Sequence, residues 1–179
     1  MLTGGVYSMF DAPASTQTQA LDINNAGQIV GQFIDGSGGN HGYLLNGGVF
    51  TTIDFPAAQG GVGGDLAEGI NDAGQISGRY CSTTQCNGFY FDGMNYSALS
   101  VGPGNVEAFD INNLGQIGGV TDAHGFIISN GIVSTIAFLE LRQRYSGDSM
   151  TLVRRLAPTM TVPDCMVTWS KDLPAHTTL

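Results

Sequence analysis

The sequence predicts an all-β chain of tandem repeats, each with about four short antiparallel strands, arranged as part of a β-propeller. Three observations predict this fold. A motif occurs three times at a spacing typical of propeller blades, the apolar runs have strand length, and Asn-, Asp- and Gly-rich segments separate them. A β-solenoid or an open twisted sheet is the alternative geometry. With 179 residues the chain is long enough to bury a sizeable core.

The repeated motif is a ten-residue segment of the type Asp-Ile-Asn-Asn-Ala-Gly-Gln-Ile-Val-Gly, which begins at Asp22, Gly69 and Asp110. Each copy is followed by a shorter element, His-Gly-Tyr, Asn-Gly-Phe or His-Gly-Phe. Because these positions recur, a structural role is predicted for all of them. They are Asn24, Gly27, Gln28, Gly31, His41, Gly42, Asn71, Gly74, Gln75, Gly78, Gly88, Asn112, Gly115, Gln116, Gly119, His124 and Gly125.

The first repeat shows how the strands are predicted. Leu21 and Ile23 flank a turn, and three further apolar runs follow at 29–34, 43–45 and 49–53. The segments between these runs have the composition of tight hairpins with positive φ. The chain therefore divides into the end of a preceding repeat, three repeats and a tail, with the ranges 1–6, 7–52, 53–98, 99–138 and 139–179.

The glutamines and the histidines of the motif are each expected to have a specific structural role. The glutamines at the start of the second strand of each repeat are expected to bond the backbone within their own turn, and contact with a ligand is the alternative. The histidines at 41 and 124 occupy equivalent positions, so we expect the same structural role in both: one ring nitrogen bonds a neighbouring turn while the ring packs.

These motifs resemble the HAF family of bacterial "probable extracellular repeat" proteins. Units of that family carry G-I-N-x-x-G-Q-I-V-G, a His-Ala/Gly-Phe tripeptide and a T-I-D-F-P-G-A join to the next unit. The resemblance covers residues 1–138 and departs from the pattern where Asn87 replaces the histidine and where the loop before His124 is shorter. It implies secretion and a repetitive β fold, and it brings no established reaction or catalytic residue.

The composition changes after Phe138: 26 of the 27 glycines lie before this point, and five of the six Lys and Arg residues follow it. Codons for residues 138–144 can be chosen so that one added base restores the join Phe-Pro-Gly-Ala. We interpret 139–179 as an out-of-frame translation of a fourth repeat that is poorly ordered or forms a helix around Leu139 to Arg144. A genuine short C-terminal segment is the alternative.

The N-terminus lacks the charged and apolar regions of a signal peptide, and residues 2–7 parallel residues 45–50 at the end of a repeat. We therefore expect that the chain begins inside a repeat and has lost its start, and with it the signal peptide of an extracellular or cell-surface protein. The alternative is that this first strand is the outer strand of a closing blade.

Cys81 and Cys86 lie in a loop of the second repeat and have no counterpart in the other repeats. In a secreted protein this favours a disulfide that closes the hairpin, with modest stabilisation because the loop is short. Two free thiols are the alternative. The spacing and the lack of a second pair do not fit a zinc site.

Charge and motifs also limit the function. The formal charge of −9 argues against nucleic-acid partners and anionic membranes, and no apolar run is long enough to span a bilayer. Segment 22–29 resembles an EF-hand loop only in part, so no metal is expected. Catalysis is not expected either, because the acids lie mostly in turns, where they should be solvated. These are Asp22, Asp35, Asp54, Asp65, Glu68, Asp72, Asp92, Glu107, Asp110 and Asp122.

The function predicted from the sequence is a secreted or cell-surface scaffold without a cofactor, which binds an unidentified glycan or protein through its loops. Tyr80, Tyr90 and Tyr96 are candidates for a glycan platform, although cross-strand packing is the favoured interpretation. Exposed edge strands are expected to allow self-association and to make the isolated chain marginally stable. The alternative function is that of a fragment of a secreted hydrolase whose catalytic residues lie in non-repeated loops.

Overall fold

The computed structural model describes residues 9–56 and 64–136 with their side chains and, outside these ranges, the backbone of short strands. The chain forms two compact units, Met1–Thr135 and Ile136–Leu179. Within the described residues there are no helices, and all strands pair in antiparallel sheets that do not close into a barrel. The all-β class and the tandem four-stranded sheets are therefore confirmed.

The first unit opens with a short hairpin and continues with three four-stranded sheets, each of which corresponds to one repeat. The hairpin contains β1 (Leu2–Thr3) and β2 (Val6–Tyr7). The first sheet contains β3 (Ser15–Ile23), β4 (Ile29–Asp35), β5 (Asn40–Asn46) and β6 (Val49–Ile53). The second contains β7 (Asp65–Ile70), β8 (Ile76–Cys81), β9 (Cys86–Phe91) and β10 (Tyr96–Ala98). The third contains β11 (Val106–Ile111), β12 (Ile117–Thr121), β13 (Gly125–Ser129) and β14 (Ile132–Ile136).

The first strand of each sheet carries a β-bulge at the same place. The register shifts between Ala20 and Asp22 in β3, and at the corresponding positions of β7 and β11. Leu21 therefore lies in the bulge of a nine-residue strand that ends at Ile23, rather than beside a turn. Opposite the bulge, the second strand has a glycine, and an aromatic residue of the third strand pairs with that glycine. These pairs are Gly31–Tyr43, Gly78–Phe89 and Gly119–Phe126.

Neighbouring sheets pack face to face, and the first strand of each later sheet lies against the sheet before it. Val30 and Ile53 of the first sheet share one core with Ile70 of the second. Tyr90 and Leu99 of the second sheet pack against the core of the third in the same way. Each repeat thus buries its apolar face on its neighbour, as expected for a repeat protein.

The second unit is a separate four-stranded antiparallel meander. Its strands are β15 (Leu141–Ser146), β16 (Ser149–Arg154), β17 (Met166–Ser170) and β18 (Leu173–Thr178). In place of the helix expected around Leu139 to Arg144, the structure has strand β15, while Leu139 and Glu140 lie outside the described residues.

Among the described residues, no helix is long and apolar enough to cross a membrane.

Candidate functional site

The turn between the first and second strands has the same structure in all three repeats. In the first repeat, Oδ1 of Asn24 accepts the main-chain N–H groups of Ala26 and Gln28, at 3.1 and 3.0 Å. The main-chain N–H of Gly27 donates to the carbonyl of Asn24. This geometry needs positive φ at the glycine, which is 77° at Gly27, 76° at Gly74 and 73° at Gly115.

The asparagines also join the repeats to each other. Nδ2 of Asn24 donates to the main-chain carbonyl of Asn71 at 2.9 Å, and Nδ2 of Asn71 donates to the carbonyl of Asn112 at 3.1 Å. Asn24 and Asn71 are buried, whereas Asn112 at the end of the series is exposed. We call this series of bonds the asparagine ladder.

The glutamines do not have the role expected from the sequence. The side chain of Gln28 accepts a hydrogen bond from Nδ2 of Asn24 at 2.7 Å, and the other two turns repeat this contact. The amide of Gln75 then donates to the hydroxyl of Tyr90 at 2.7 Å. The asparagine thus bonds the backbone of the turn, and the glutamine holds the asparagine. The expectation was wrong because the asparagine side chain is short enough to reach N–H groups of its own turn.

A second set of bonds runs beside the ladder on the exposed side of the turns. Asp72 accepts from both the main chain and the side chain of Asn25, at 2.9 and 2.8 Å, and from the side chain of Asn113 at 2.8 Å. Hydrogen bonds from Asn25, and a further one from Asn113, hold the pKa of Asp72 below its ordinary value. One carboxylate therefore bridges the turns of all three repeats.

His41 lies in the first repeat between two carboxylates. Its Nδ1 is 2.7 Å from Oδ2 of Asp54 and its Nε2 is 3.3 Å from Oδ2 of Asp35, while the ring stacks on Phe33. Partial burial lowers the pKa of His41, but the hydrogen bonds and charges of Asp54 and Asp35 outweigh it, and the pKa is raised. Both ring nitrogens of His41 therefore contact a carboxylate, whereas the sequence predicted a hydrogen bond from only one of them.

Asp65 completes this group and is the acid that departs most from expectation. It starts β7, is only 3% exposed, and accepts the main-chain N–H of Phe55 at 3.0 Å. Burial and the nearby charge of Asp54 raise the pKa of Asp65 to about 7. The prediction that the acids are solvated is wrong for this residue, because the packing of β7 against the first sheet removes it from water.

His124 does not reproduce the contacts of His41. It precedes β13, where its main-chain N–H donates to Oγ1 of Thr121 at 3.1 Å and its carbonyl accepts the N–H of Thr121 at 2.8 Å. The loop before His124 is shorter than the loop of the first repeat, which carries Asp35. The two histidines therefore share a place in the sequence motif but differ in their contacts.

The cysteines lie where β8 and β9 meet at a hairpin loop. Cys81 and Cys86 are directly paired across the strands, with Cα atoms 4.0 Å apart and sulfur atoms at disulfide distance. Next to them, Gln85 donates to the carbonyl of Gly104 at 2.7 Å, and the N–H of Cys86 donates to Asn105 at 2.8 Å. The cysteine pair thus holds a loop that contacts the start of the third repeat.

The three candidate tyrosines are all partly buried. Tyr80 stacks on Phe55 with ring centroids 4.1 Å apart, and Tyr96 packs on Phe55 and Phe89. Tyr90 bonds Gln75 and packs against the core of the third sheet. Cross-strand and inter-sheet packing therefore accounts for these rings.

The glycine of the second element marks where the next repeat approaches. A Cβ on Gly42 would lie 2.5 Å from the carbonyl oxygen of Ile53 in the same sheet and 3.2 Å from the main-chain nitrogen of Ala67, and one on Gly88 would lie 3.1 Å from Cγ1 of Val106. Gly125 is the first residue of β13. It pairs with Val120 of β12, as Gly42 of β5 pairs with Gln32 of β4.

Sequence reasoning did not connect the carboxylates that surround His41. Asp35 belongs to a Gly-rich turn and accepts three bonds of 2.8 Å, from the N–H and hydroxyl of Ser37 and the N–H of Gly39. These bonds hold its pKa well below the ordinary value. Asp54 could have been found, since it belongs to the join Thr-Ile-Asp-Phe-Pro that follows the histidine strand.

Replacing Asp65 with asparagine is expected to increase the free energy of unfolding above pH 7. Because the pKa of Asp65 is about 7 in the fold and near 3.8 when unfolded, the native state binds the extra proton between these values, and stability falls as pH rises through them. The asparagine variant should gain about 2–4 kcal/mol at pH 8 and lose most of the pH dependence. Urea unfolding at several pH values measures this.

The control for this prediction is Asp92→Asn in an exposed hairpin turn. There, main-chain hydrogen bonds from Asn95 and Met94 lower the pKa of Asp92. The ionised Asp92 carboxylate therefore contributes stability that is lost only in acid. The raised pKa of His41 contributes stability that is likewise lost as pH rises. If the free energy of unfolding of the Asp65 variant changed with pH between 5 and 8 as steeply as that of the unmodified chain, the prediction would be contradicted.

No protein-family model matches the chain, and no curated protein matches it. Among the described residues, no group of three or more His, Cys, Asp or Glu side chains is placed to hold a metal ion.

Proposed function

We propose that the chain is part of a secreted or cell-surface repeat scaffold that binds a partner through its loops and performs no reaction itself. The asparagine ladder carries this proposal. The side chains that recur in every repeat are used to bond one turn to the next, and Asn24 and Asn71 are buried in doing so. Residues used in this way position loops and are not available to a substrate.

Of the two partner classes, a protein is the better supported. The rings that would form a glycan platform are packed between strands and sheets. Large apolar side chains are instead exposed at turns and hairpin tips, with Met94 at 83% and Leu114 at 81% exposure. Methionine is among the residues enriched in protein interfaces, and apolar side chains supply the buried centre of such interfaces.

A secreted location and membership of the HAF-type repeats remain part of the proposal. Support for the location comes from the cysteine pair at disulfide distance, since disulfides persist in oxidising compartments. The out-of-frame origin of 139–179 also stays a proposal, which resequencing of the source DNA across the codons for Phe138 and Leu139 would test.

The binding proposal is tested with the full chain against two sets of probes. One is a display library of extracellular protein domains, and the other is a panel of insoluble cell-wall polysaccharides with the supernatant assayed for released sugar. We expect saturable binding to protein domains that is weakened about tenfold or more by the combined change Met94→Ser and Leu114→Ser. Asp92→Asn, on the same hairpin as Met94, is the matched control.

Two outcomes would overturn the proposal. Sugar release from any polysaccharide would favour the hydrolase alternative, for which the His41 and Asp65 group would be the first place to introduce substitutions. No saturable binding to either set of probes would leave the scaffold without a partner-binding function.

A further inference from the structure

Four ionisable side chains lie where the first and second repeats meet, and the next junction has uncharged residues at two of their positions. Asp65 begins β7 and is 3% exposed, because β7 packs against the first sheet. Val106 begins β11 at the same register in the third repeat and is also 3% exposed. A buried carboxyl group thus occupies a position that is apolar in the next repeat. We call the four side chains the acid–histidine group: His41, Asp35, Asp54 and Asp65.

The contacts of His41 require a proton on each ring nitrogen. Nδ1 is 2.7 Å from Oδ2 of Asp54, and Nε2 is 3.3 Å from Oδ2 of Asp35. Ionised carboxylates only accept hydrogen bonds, and a neutral imidazole has a single N–H, so only the imidazolium donates to both. Asn87 occupies the corresponding place in the second repeat and carries no charge. The bridge between the two carboxylates therefore belongs to the protonated form of His41.

The surroundings of Asp65 favour its neutral form. Its Oδ2 accepts the main-chain N–H of Phe55, a bond that favours the ionised form. Its Oδ1 is buried and has no hydrogen-bond partner in the described part of the chain, and the same is true of Oδ1 of Asp54. A buried charge on an unpaired oxygen is costly in free energy, and the charge of Asp54 adds to that cost. A proton on Asp65 removes both contributions.

The charge of His41 has no substitute in the described part of the chain. Arg79 is the only lysine or arginine there. It is paired with Glu68 of its own sheet and with Glu107 of the third sheet. Loss of the extra proton of His41 therefore leaves the carboxylates of the acid–histidine group without a facing cation.

The other ionisable groups packed against β7 supply no positive charge either. Tyr80 of β8 pairs with Asp65. Burial and then the charges of Asp54 and Asp65 raise the pKa of Tyr96 in β10. Asp22 of β3 and Asp110 of β11 contact the opposite end of β7. The balance of charge around the start of β7 is therefore set by the protons of the acid–histidine group.

We propose that the acid–histidine group is a proton-controlled latch, which holds β7 on the first sheet while His41 and Asp65 are protonated and releases it when both protons are lost. With both protons bound, one positive charge lies between two carboxylates. Without them, three carboxylates repel one another at close range, and opening of the junction lets water and counterions reach them. The inference does not depend on the partner proposed above.

The two titrations act in the same direction. The pKa of Asp65 rises from 3.8 to about 7 when β7 is packed, so the closed junction binds a proton that the open junction releases. The raised pKa of His41 has the same sign. The stability of the closed junction therefore falls as pH rises through these values, and the latch opens on the alkaline side.

Residue-resolved hydrogen exchange of the full chain between pH 5 and 8 tests the proposal. The main-chain N–H groups of Phe55 and Ile70 are the probes, because each donates to a carboxylate across the junction, to Asp65 and Asp22 respectively. We expect their protection factors, which correct for the intrinsic pH dependence of exchange, to fall more than about tenfold from pH 5 to 8. Protection in β12 and β13 of the third sheet should change much less.

Two variants separate the two protons. Asp65→Asn keeps an acceptor for Phe55 but cannot ionise, so Ile70 should stay protected at pH 8. His41→Gln removes the positive charge, so protection of Ile70 should fall about two- to fivefold already at pH 5. The matched control is His124→Gln, at the same place in the third repeat, where no carboxylate contacts the ring among the described residues. It should behave like the unmodified chain.

Three outcomes would overturn the proposal. One is protection of Phe55 and Ile70 that does not change between pH 5 and 8. The second is an equal loss of protection in β12 and β13, because global unfolding exposes all strands whereas the latch opens only one junction. The third is an Asp65→Asn variant whose junction responds to pH as strongly as that of the unmodified chain.

Discussion

Replacing Gly119 with alanine is expected to destabilise the third sheet by more than about 3 kcal/mol. A Cβ at this position would collide with the main-chain carbonyl oxygen of Glu107, which precedes the bulge of β11, and would lie 2.6 Å from Cζ of Phe126. Neither can move cheaply, because the carbonyl belongs to the backbone of a paired strand and the Phe126 ring is buried in the core. Urea unfolding measures the loss, and hydrogen exchange of β11–β14 locates it.

The adjacent residue supplies a matched control. Gly118 lies in the same strand, and a Cβ built there meets no atom within 4 Å. Gly118→Ala should therefore change the free energy of unfolding by less than about 1 kcal/mol. Similar losses in the two variants would mean that glycine is needed in β12 for a reason other than the close approach of the Glu107 carbonyl and the Phe126 ring.

The second large effect is expected from Asn71→Ala, which removes the middle of the asparagine ladder. This side chain accepts from the N–H groups of Ala73 and Gln75, at 3.1 and 3.0 Å, and donates to Gln75 and to the carbonyl of Asn112. Asn71 itself is buried, so its loss leaves these partly buried groups without partners and removes the bond to the third repeat. We expect a loss of about 2–4 kcal/mol in the free energy of unfolding.

Asn112→Ala is the control for the ladder. Asn112 makes the same bonds within its own turn, at 3.0 Å from the N–H groups of Leu114 and Gln116, but its turn is exposed. Water can replace its bonds, so about 1 kcal/mol should be lost. Equal losses in the two variants would show that the bond between repeats contributes nothing beyond the turn itself.

Much of the fold could be predicted because its signals are local and occur three times. The four strands of each repeat follow from apolar runs separated by turn residues, and the glycines at positive φ follow from the Asn-x-x-Gly turn. Even the short hairpin near the N-terminus has the pairing expected from its parallel with β5 and β6, since Thr3 pairs with Val6 as Asn46 pairs with Val49.

The contacts of the candidate site were harder to predict from the sequence than the strands and turns. The solvated state predicted for Asp65 followed from the assignment of the acids to turns, but its environment depends on β7 packing against another sheet. The role of Gln28 was misassigned for a related reason, because composition does not show whether asparagine or glutamine reaches the backbone of a turn.

The sequence by itself determined the repeat with its strands and turns, and it favoured the pairing of Cys81 with Cys86 over two free thiols, because these features depend on residues close together in the chain. Only the tertiary structure decided which equivalent residues are buried. Ile23, Ile70 and Ile111 occupy the same position of the repeated motif, yet Ile23 is exposed whereas Ile70 and Ile111 lie in the core. Burial depends on whether another sheet lies against the strand, and that contact joins segments more than forty residues apart.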